Sequence, residues 1–171
     1  MNRAWLAARL QRFAANRPTR EIDSGGRPYL LRVYVAHWGG WRVYLHKFVG
    51  SDGERWLHDH PFNGLSVVLA GGYVEEVGRQ WSWPDVRTVA RVRRWINVIP
   101  RHRFHRIAAV EPGTWTLFIH APHSKGWGFL FPIAEPDGLV YSNPHDQADS
   151  SGAHWWRKPG IETLAEIEGE A

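Results

Sequence analysis

The stretch Trp56-Leu57-His58-Asp59-His60-Pro61-Phe62-Asn63 constrains this chain more than any other. It opens onto a β-rich run, Leu65-Ser66-Val67-Val68-Leu69-Ala70. Side chains alternate faces along a strand, so residues two apart point the same way. On a strand, His58 and His60 therefore put two imidazoles on one face, with about 7 Å of backbone between them. Two such groups suit neighbouring positions around one metal ion. Asp59, between them, faces away and reads as a surface or loop-capping carboxylate. A third ligand must come from elsewhere, and Pro100-Arg101-His102-Arg103-Phe104-His105 supplies His105. His102 is a candidate fourth ligand or substrate contact. Asn63 is a candidate to reach the ion if the strand is irregular.

The rest of the chain reads as short strands cut by Gly and Pro turns, the pattern of an all-β sandwich or closed barrel. Residues 3–16 are the exception, with Leu6, Leu10 and Phe13 at helical spacing. Residues 19–27 are polar and turn-rich. Strands are expected at 29–35 and 41–49, joined at Gly39-Gly40, a strong hairpin signal. In the second of these, Tyr44, His46 and Phe48 share one face. Further strands are expected at 65–70, 73–77, 87–92, 95–98, 114–120 and 126–133, with residues 78–85 as a loop. From residue 134 the pattern fades into an extension. Within it, Trp155-Trp156 should dock on the barrel. Residues 161–170 read as a short acidic helix or tail, expected against the arginine-rich region of this molecule or of a partner. No βαβ rhythm or repeat is present.

Composition narrows the chemistry. The chain has 171 residues, 43% apolar and 22% charged, as expected of one globular domain over 1–171. It has no cysteine, so disulfides and thiolate metal sites are excluded, and any metal must be held by His, Asp or Glu. Eleven tryptophans are spread along it, which places most of them in a core or in pocket walls. No apolar run is long enough to span a membrane, and no membrane partner is expected. A cytoplasmic protein is the default expectation. The net charge is +4, and seven arginines from Arg87 to Arg106 follow one another with no acid between them. They are expected on outer strand faces, or at a pocket mouth that attracts an anionic small molecule. A nucleic-acid partner is not expected, because Trp95 and Phe104 read as inward rather than as an exposed stacking surface.

Together these residues resemble the two motifs of the cupin superfamily. Gly53, His58, His60 and Gly72 match the first motif, and Pro100 and His105 match the second. The glutamate of the first motif falls at Gly64 or Leu65 and is missing. In the second, His102 and Ala109 stand where a Gly and an Asn are usual. The pattern is also similar to a group of small cupins with H-D-H-P and a late W-G-F, here Trp127-Gly128-Phe129. The resemblance covers about residues 28 to 133. It implies a jelly-roll barrel (a double-stranded β-helix) with an N-terminal helix and a short C-terminal helix. It implies one divalent transition metal held by His58, His60 and His105, with Fe(II) favoured and Zn, Ni or Mn as alternatives. Neutral three-His sets of this kind resemble those of thiol and diketone dioxygenases. The expectation is thus a dioxygenase acting on a small molecule. The alternatives are a metal-dependent isomerase or lyase, and a non-catalytic binding or structural module. A homodimer is compatible with either. Tyr44, His46, His102 and His120 are the catalytic candidates, and His123 joins His120 as a candidate to support the ligands. Tyr44, Trp127 and Phe129 are expected to line the barrel.

Overall fold

The computed structural model describes residues 3–24, 26–52, 56–82, 85–132, 139–142 and 154–169. Among the described residues, helix α1 (Arg3–Ala14) leads into eleven strands. They are β1 (Thr19–Ser24), β2 (Arg27–Trp38), β3 (Trp41–Phe48), β4 (Gly64–Ala70), β5 (Tyr73–Ser82) and β6 (Asp85–Arg93). Then come β7 (Ile96–Ile99), β8 (His105–Val110), β9 (Trp115–His120), β10 (Phe129–Pro132) and β11 (Leu139–Ser142). A 3-10 turn at Trp155–Arg157 precedes helix α2 (Leu164–Gly169).

One antiparallel sheet runs in the order β1-β2-β3-β9-β4-β7, and a second in the order β6-β5-β8. β10 and β11 pair with each other. The segment around His58 stitches β10 to the second sheet. It bridges His105 at the start of β8 on one side and Phe129 at the start of β10 on the other. His58 and His105 exchange both backbone hydrogen bonds, at 3.0 and 2.9 Å, and Leu130 N donates to Leu57 O at 2.9 Å. The result is an all-β fold of antiparallel sheets, with a helix near each end of the described chain.

In the middle of the large sheet, β2 and β3 carry consecutive buried residues, so both faces are covered there, while β7 at one edge alternates buried with exposed. Leu31, Val33 and Leu45 point outward and pack with Ala14, Trp115 and Leu164, beneath α1 and α2. Leu30, Arg32 and Tyr34 point inward, opposite Phe48, His46 and Tyr44 of β3. Leu164 is fully buried, worth about 1.5–3 kcal/mol for such a side chain. A capping box holds α2 in place: the Glu166 carboxylate accepts from Thr163 N at 2.7 Å, and Glu166 N donates to Thr163 Oγ1 at 3.4 Å.

Several local expectations change. α1 ends at Ala14, not residue 16, and Phe13 is 49% exposed beneath the Arg17 guanidinium, while Ala7 and Leu10 face the sheet. The polar stretch from residue 19 is a strand, because β2 offers it a full set of backbone partners. The loop expected at 78–85 is instead the far end of the β5–β6 hairpin, paired through Ser82 and Asp85, with Trp83 and Pro84 outside the described residues. The strand expected at 126–133 is confined to Phe129–Pro132. The turn at Gly39-Gly40 falls as expected, with φ of 47° and 83° at the two glycines, the left-handed values a tight hairpin requires. Trp155 and Trp156 dock against Tyr44, Phe62, Ile99 and Phe118. Within this molecule and among the described residues, the acidic α2 lies elsewhere than the arginine run: Glu168 pairs with Lys47 of β3 and Gln11 of α1.

Candidate metal centre

The backbone pairing of residue 58 with residue 105 brings the two histidine segments together. His58 and His105 are 4% exposed, and His60 is half-buried. One ring nitrogen from each lies within 4.8 Å of the others. His60 Nε2 and His105 Nε2 are 2.7 Å apart. Two ligands about 2.0–2.1 Å from one ion and near a right angle lie about 2.9 Å apart, so the spacing fits a shared ion.

The proton positions fit as well. His58 Nδ1 faces the Trp56 carbonyl oxygen at 3.3 Å, and His105 Nδ1 faces Glu75 Oε1 at 2.6 Å. Both partners only accept, so each Nδ1 carries a hydrogen, and Nε2 is the nitrogen that each neutral ring has left to offer an ion. Two of the three imidazoles are thus held in the tautomer a metal ligand needs.

Glu75 is the functional residue the sequence reading missed. It is fully buried on β5. It accepts from His105 Nδ1, from Asn97 Nδ2 at 3.0 Å and from Arg93 Nε at 2.7 Å. Burial opposes its charge, but its pairing with His105, then the hydrogen bonds from Asn97 and Arg93, outweigh that and hold its pKa at about 2. Asn97 in turn donates to the Tyr73 hydroxyl at 3.2 Å. A carboxylate behind a ligand histidine fixes its ring and raises its basicity.

Asp59 faces away from the cluster, as its position between two same-face histidines requires. It is 3% exposed, so it is not a surface group. Its carboxylate caps a loop, accepting from Gly128 N at 2.8 Å and from Lys125 Nζ at 2.5 Å. Burial raises its pKa, and Lys125 and Gly128 offset part of that. The tie seats Trp127 against the histidines, its ring centre 4.9 Å from that of His60 and 6.0 Å from that of His58. The indole nitrogen of Trp127 is buried and makes no hydrogen bond among the described residues.

A cavity opens on the inner side of the cluster. About 70 Å³ of it admits the centre of a water molecule, where about 10–15 Å³ suffices for one. Its walls include Arg32, His46, Phe48, Phe62, Phe118 and Trp127. Of the residues expected to line the barrel, Trp127 reaches this cavity, and Tyr44 and Phe129 are buried close by. His46 lines the cavity, and burial, then the Arg32 charge, push its pKa well below the ordinary value. His120 is stacked on Phe62 at 3.9 Å, which stands between it and His60, and burial lowers its pKa to about 3. His123 lies beyond it, 5.6 Å from His120.

Two other candidates are not brought to the site. His102 is exposed and accepts from Arg101 Nε at 3.1 Å. Asn63 is exposed, its oxygen taken by Arg101 N at 2.9 Å. The missing glutamate has a physical counterpart. Gly64 faces inward, and a Cβ there would sit 3.0 Å from Phe118 Cζ, so an aromatic ring fills the carboxylate's place. Among the described side chains, no arginine of the run lines the cavity either. Arg93, Arg94 and Arg106 pair with Glu75, Glu111 and Glu76, and Arg103 bonds to Asn97 and Val98. The acids absent from that stretch of sequence come from neighbouring strands and turns.

No family model matches the chain, and no curated protein matches it. Among solved structures, 46 chains match. They include hydroxypropylphosphonic acid epoxidase from S. wedmorenis, 12% identical over 61% of this chain and 55% of the other, TM-score 0.46. A cupin-2 domain from Rhodospirillum rubrum is 15% identical over 70% of this chain and 76% of the other, TM-score 0.43. KdgF from Halomonas sp. is 17% identical over 61% and 87%, TM-score 0.40. The chain spans about half the length of the epoxidase structures it matches. Its own strand pairing gives two antiparallel sheets, and its cluster of three imidazoles could hold a metal ion. Among the described residues no helix is long and apolar enough to cross a membrane.

Proposed function

We propose that this chain is a mononuclear metalloenzyme of dioxygenase type. His58, His60 and His105 hold one divalent transition metal, Fe(II) in the working enzyme, and a small molecule reacts in the adjoining cavity. The observation that carries the reading is the convergence of three imidazole nitrogens at the cavity wall, two of them 2.7 Å apart. A bound Fe(II) would supply the redox chemistry that couples dioxygen to an organic substrate, which no side chain can. The chain's own residues do the rest. Glu75 keeps the proton of His105 on Nδ1. Phe62, Phe118 and Trp127 exclude bulk water. Three neutral ligands leave further positions around the ion open to small molecules.

The test begins with elemental analysis of protein purified without added metal. One equivalent is expected, with metal–nitrogen distances of about 2.0–2.2 Å by X-ray absorption. His58→Ala, His60→Ala and His105→Ala should each lower metal affinity by orders of magnitude. Oxygen uptake should then be screened over small acids and aromatic compounds. A His58→Ala protein that still binds a full equivalent as tightly as the parent sinks the ligand assignment. Turnover that proceeds without oxygen sinks the reaction type.

A further inference from the structure

Helix α1 carries two unlike faces. Ala7, Leu10 and Ala14 pack into the core with Leu31, Val33, Leu45 and Trp115. Trp5, Ala8, Arg9, Arg12 and Phe13 recur at helical spacing on the opposite side, and all five are exposed. That face is about 12 Å long. The outer face of a surface helix is ordinarily polar. This one holds two aromatic side chains, 50% and 49% exposed. It holds no acid, since α1 has three arginines and neither Asp nor Glu. Among the described residues, no carboxylate pairs with Arg3, Arg9, Arg12 or Arg17. Three of these guanidinium groups lie over aromatic rings instead. Arg9 is 4.9 Å from the centre of the Trp5 ring, and Arg17 is 4.0 Å from that of Phe13. Arg3 reaches past the first turn to Trp95, 5.6 Å from its ring centre. Trp95, expected inward, is 73% exposed, and Ile96 and Val98 after it on β7 also face solvent. Arginines and exposed rings thus alternate from Phe13 to Trp95.

We propose that this surface docks the protein on an anionic lipid membrane. The sign of the partner's charge follows from the arginines. A second copy of the chain fits poorly, because a two-fold contact sets a patch against itself and would bring these like charges together. Nucleic acid fits poorly too, because guanidinium groups already cover a face of the rings on which bases would stack. An anionic bilayer suits both components. Its headgroups neutralise the arginines, and the Trp and Phe rings enter the boundary between headgroups and acyl chains. The lack of a long apolar run argues against spanning a membrane; lying on one needs only an exposed face of this kind. Such contact is reversible, with each arginine near the lipid surface contributing about fivefold in affinity.

The full chain is mixed with vesicles of phosphatidylcholine alone, or of phosphatidylcholine and phosphatidylglycerol in a two-to-one ratio. Bound protein is measured by co-sedimentation. We expect affinity for the mixed vesicles to be at least about tenfold higher, and to fall as salt is raised. Arg9→Glu with Arg12→Glu should lower it about 25-fold or more, at about fivefold for each arginine lost. Trp5→Ser with Phe13→Ser should weaken binding to the mixed vesicles at every salt concentration and leave the salt slope unchanged. All four positions are exposed, so Tm should stay at the parental value. Equal binding of the two vesicle types by the parent protein, or binding of neither, overturns the proposal with no variant needed. So does an equal loss in Arg157→Glu with Lys158→Glu, two exposed cations elsewhere on the chain, since net charge alone would then account for the binding. An oligouridylate bound more tightly than the mixed vesicles, and released by the Arg9 and Arg12 changes, overturns it in favour of nucleic acid. Concentration-dependent dimerisation abolished by the Trp5 and Phe13 changes overturns it in favour of a second copy.

Discussion

Replacing Glu75 by Gln tests whether the buried network organises the metal centre. The change keeps the shape and one acceptor oxygen but removes the charge. Glu75 is 0% exposed, and the Arg93 side chain that pairs with it is 15% exposed. Removing one partner of a buried pair typically costs about 3–5 kcal/mol. Gln retains an acceptor for one donor, so the lower end, about 3 kcal/mol, is expected. For a chain of this length that is a fall of roughly 6–12 °C in Tm. Metal affinity should fall about 10- to 100-fold, because His105 loses the charged acceptor that orients its ring and raises its basicity. Urea unfolding of the chelated protein gives the first number, and competition with a chromophoric chelator gives the second. Glu76→Gln is the control. Its partner Arg106 is 33% exposed, and a pair so exposed is worth under about 1 kcal/mol. A Glu75→Gln protein as stable as the Glu76→Gln control, with parental metal affinity, would refute the argument.

Two further perturbations address the surroundings of the centre. His120 has a folded pKa of about 3, below its ordinary 6.5, so the unfolded chain binds the extra proton in that interval. Stability is therefore full above about pH 6.5 and falls as pH drops toward 3; His120→Gln should flatten the Tm–pH curve in that window, and an unchanged slope would assign the acid sensitivity elsewhere. Asp59→Ala leaves the buried Gly128 N–H without its acceptor, at a cost of about 1–3 kcal/mol, and should speed hydrogen exchange at that amide. Asp59→Asn, which keeps an acceptor, should lose clearly less; equal losses in the two would contradict the capping role.

What could be read from the sequence depended on how far apart the partners lie. His58 and His60 share a face because of strand geometry alone, and Gly39-Gly40 marks its turn without outside help. His105 was reachable because a proline turn precedes it. Glu75 was not, although the strand expected at 73–77 places it on the same face as Tyr73 and Val77. A carboxylate there reads as solvated until Arg93 and Asn97, from two other strands, are known to meet it. The arginine run fails the same way, since its acids belong to β5 and to the turn before β9. β1 looks like a loop because its residues are polar; the open edge of β2 makes it a strand. Asn63 and His102 were near the right histidines in sequence but turn toward Arg101 instead.

The absent motif glutamate permits one more step. Of the two positions where it could fall, Gly64 faces inward along β4 and Leu65 faces the other way. Phe118 Cζ and Cε2 lie 3.0 and 3.2 Å from where a Cβ at 64 would be. Gly64→Glu alone must push that ring aside and bury a carboxylate against it. Overpacking of this kind costs about 1–3 kcal/mol, and the unpaired charge adds to it. No gain in metal affinity is expected, because the new side chain has no room to reach the histidines. Gly64→Glu combined with Phe118→Ala removes the obstacle. The double variant should bind Mn(II) at least tenfold more tightly than Phe118→Ala alone, as an oxygen donor favours that ion. Isothermal titration of the chelated proteins measures the difference. If Gly64→Glu alone tightens Mn(II) binding without loss of stability, then Phe118 does not occupy the ligand position. The three-His set would then owe its missing carboxylate to something other than packing.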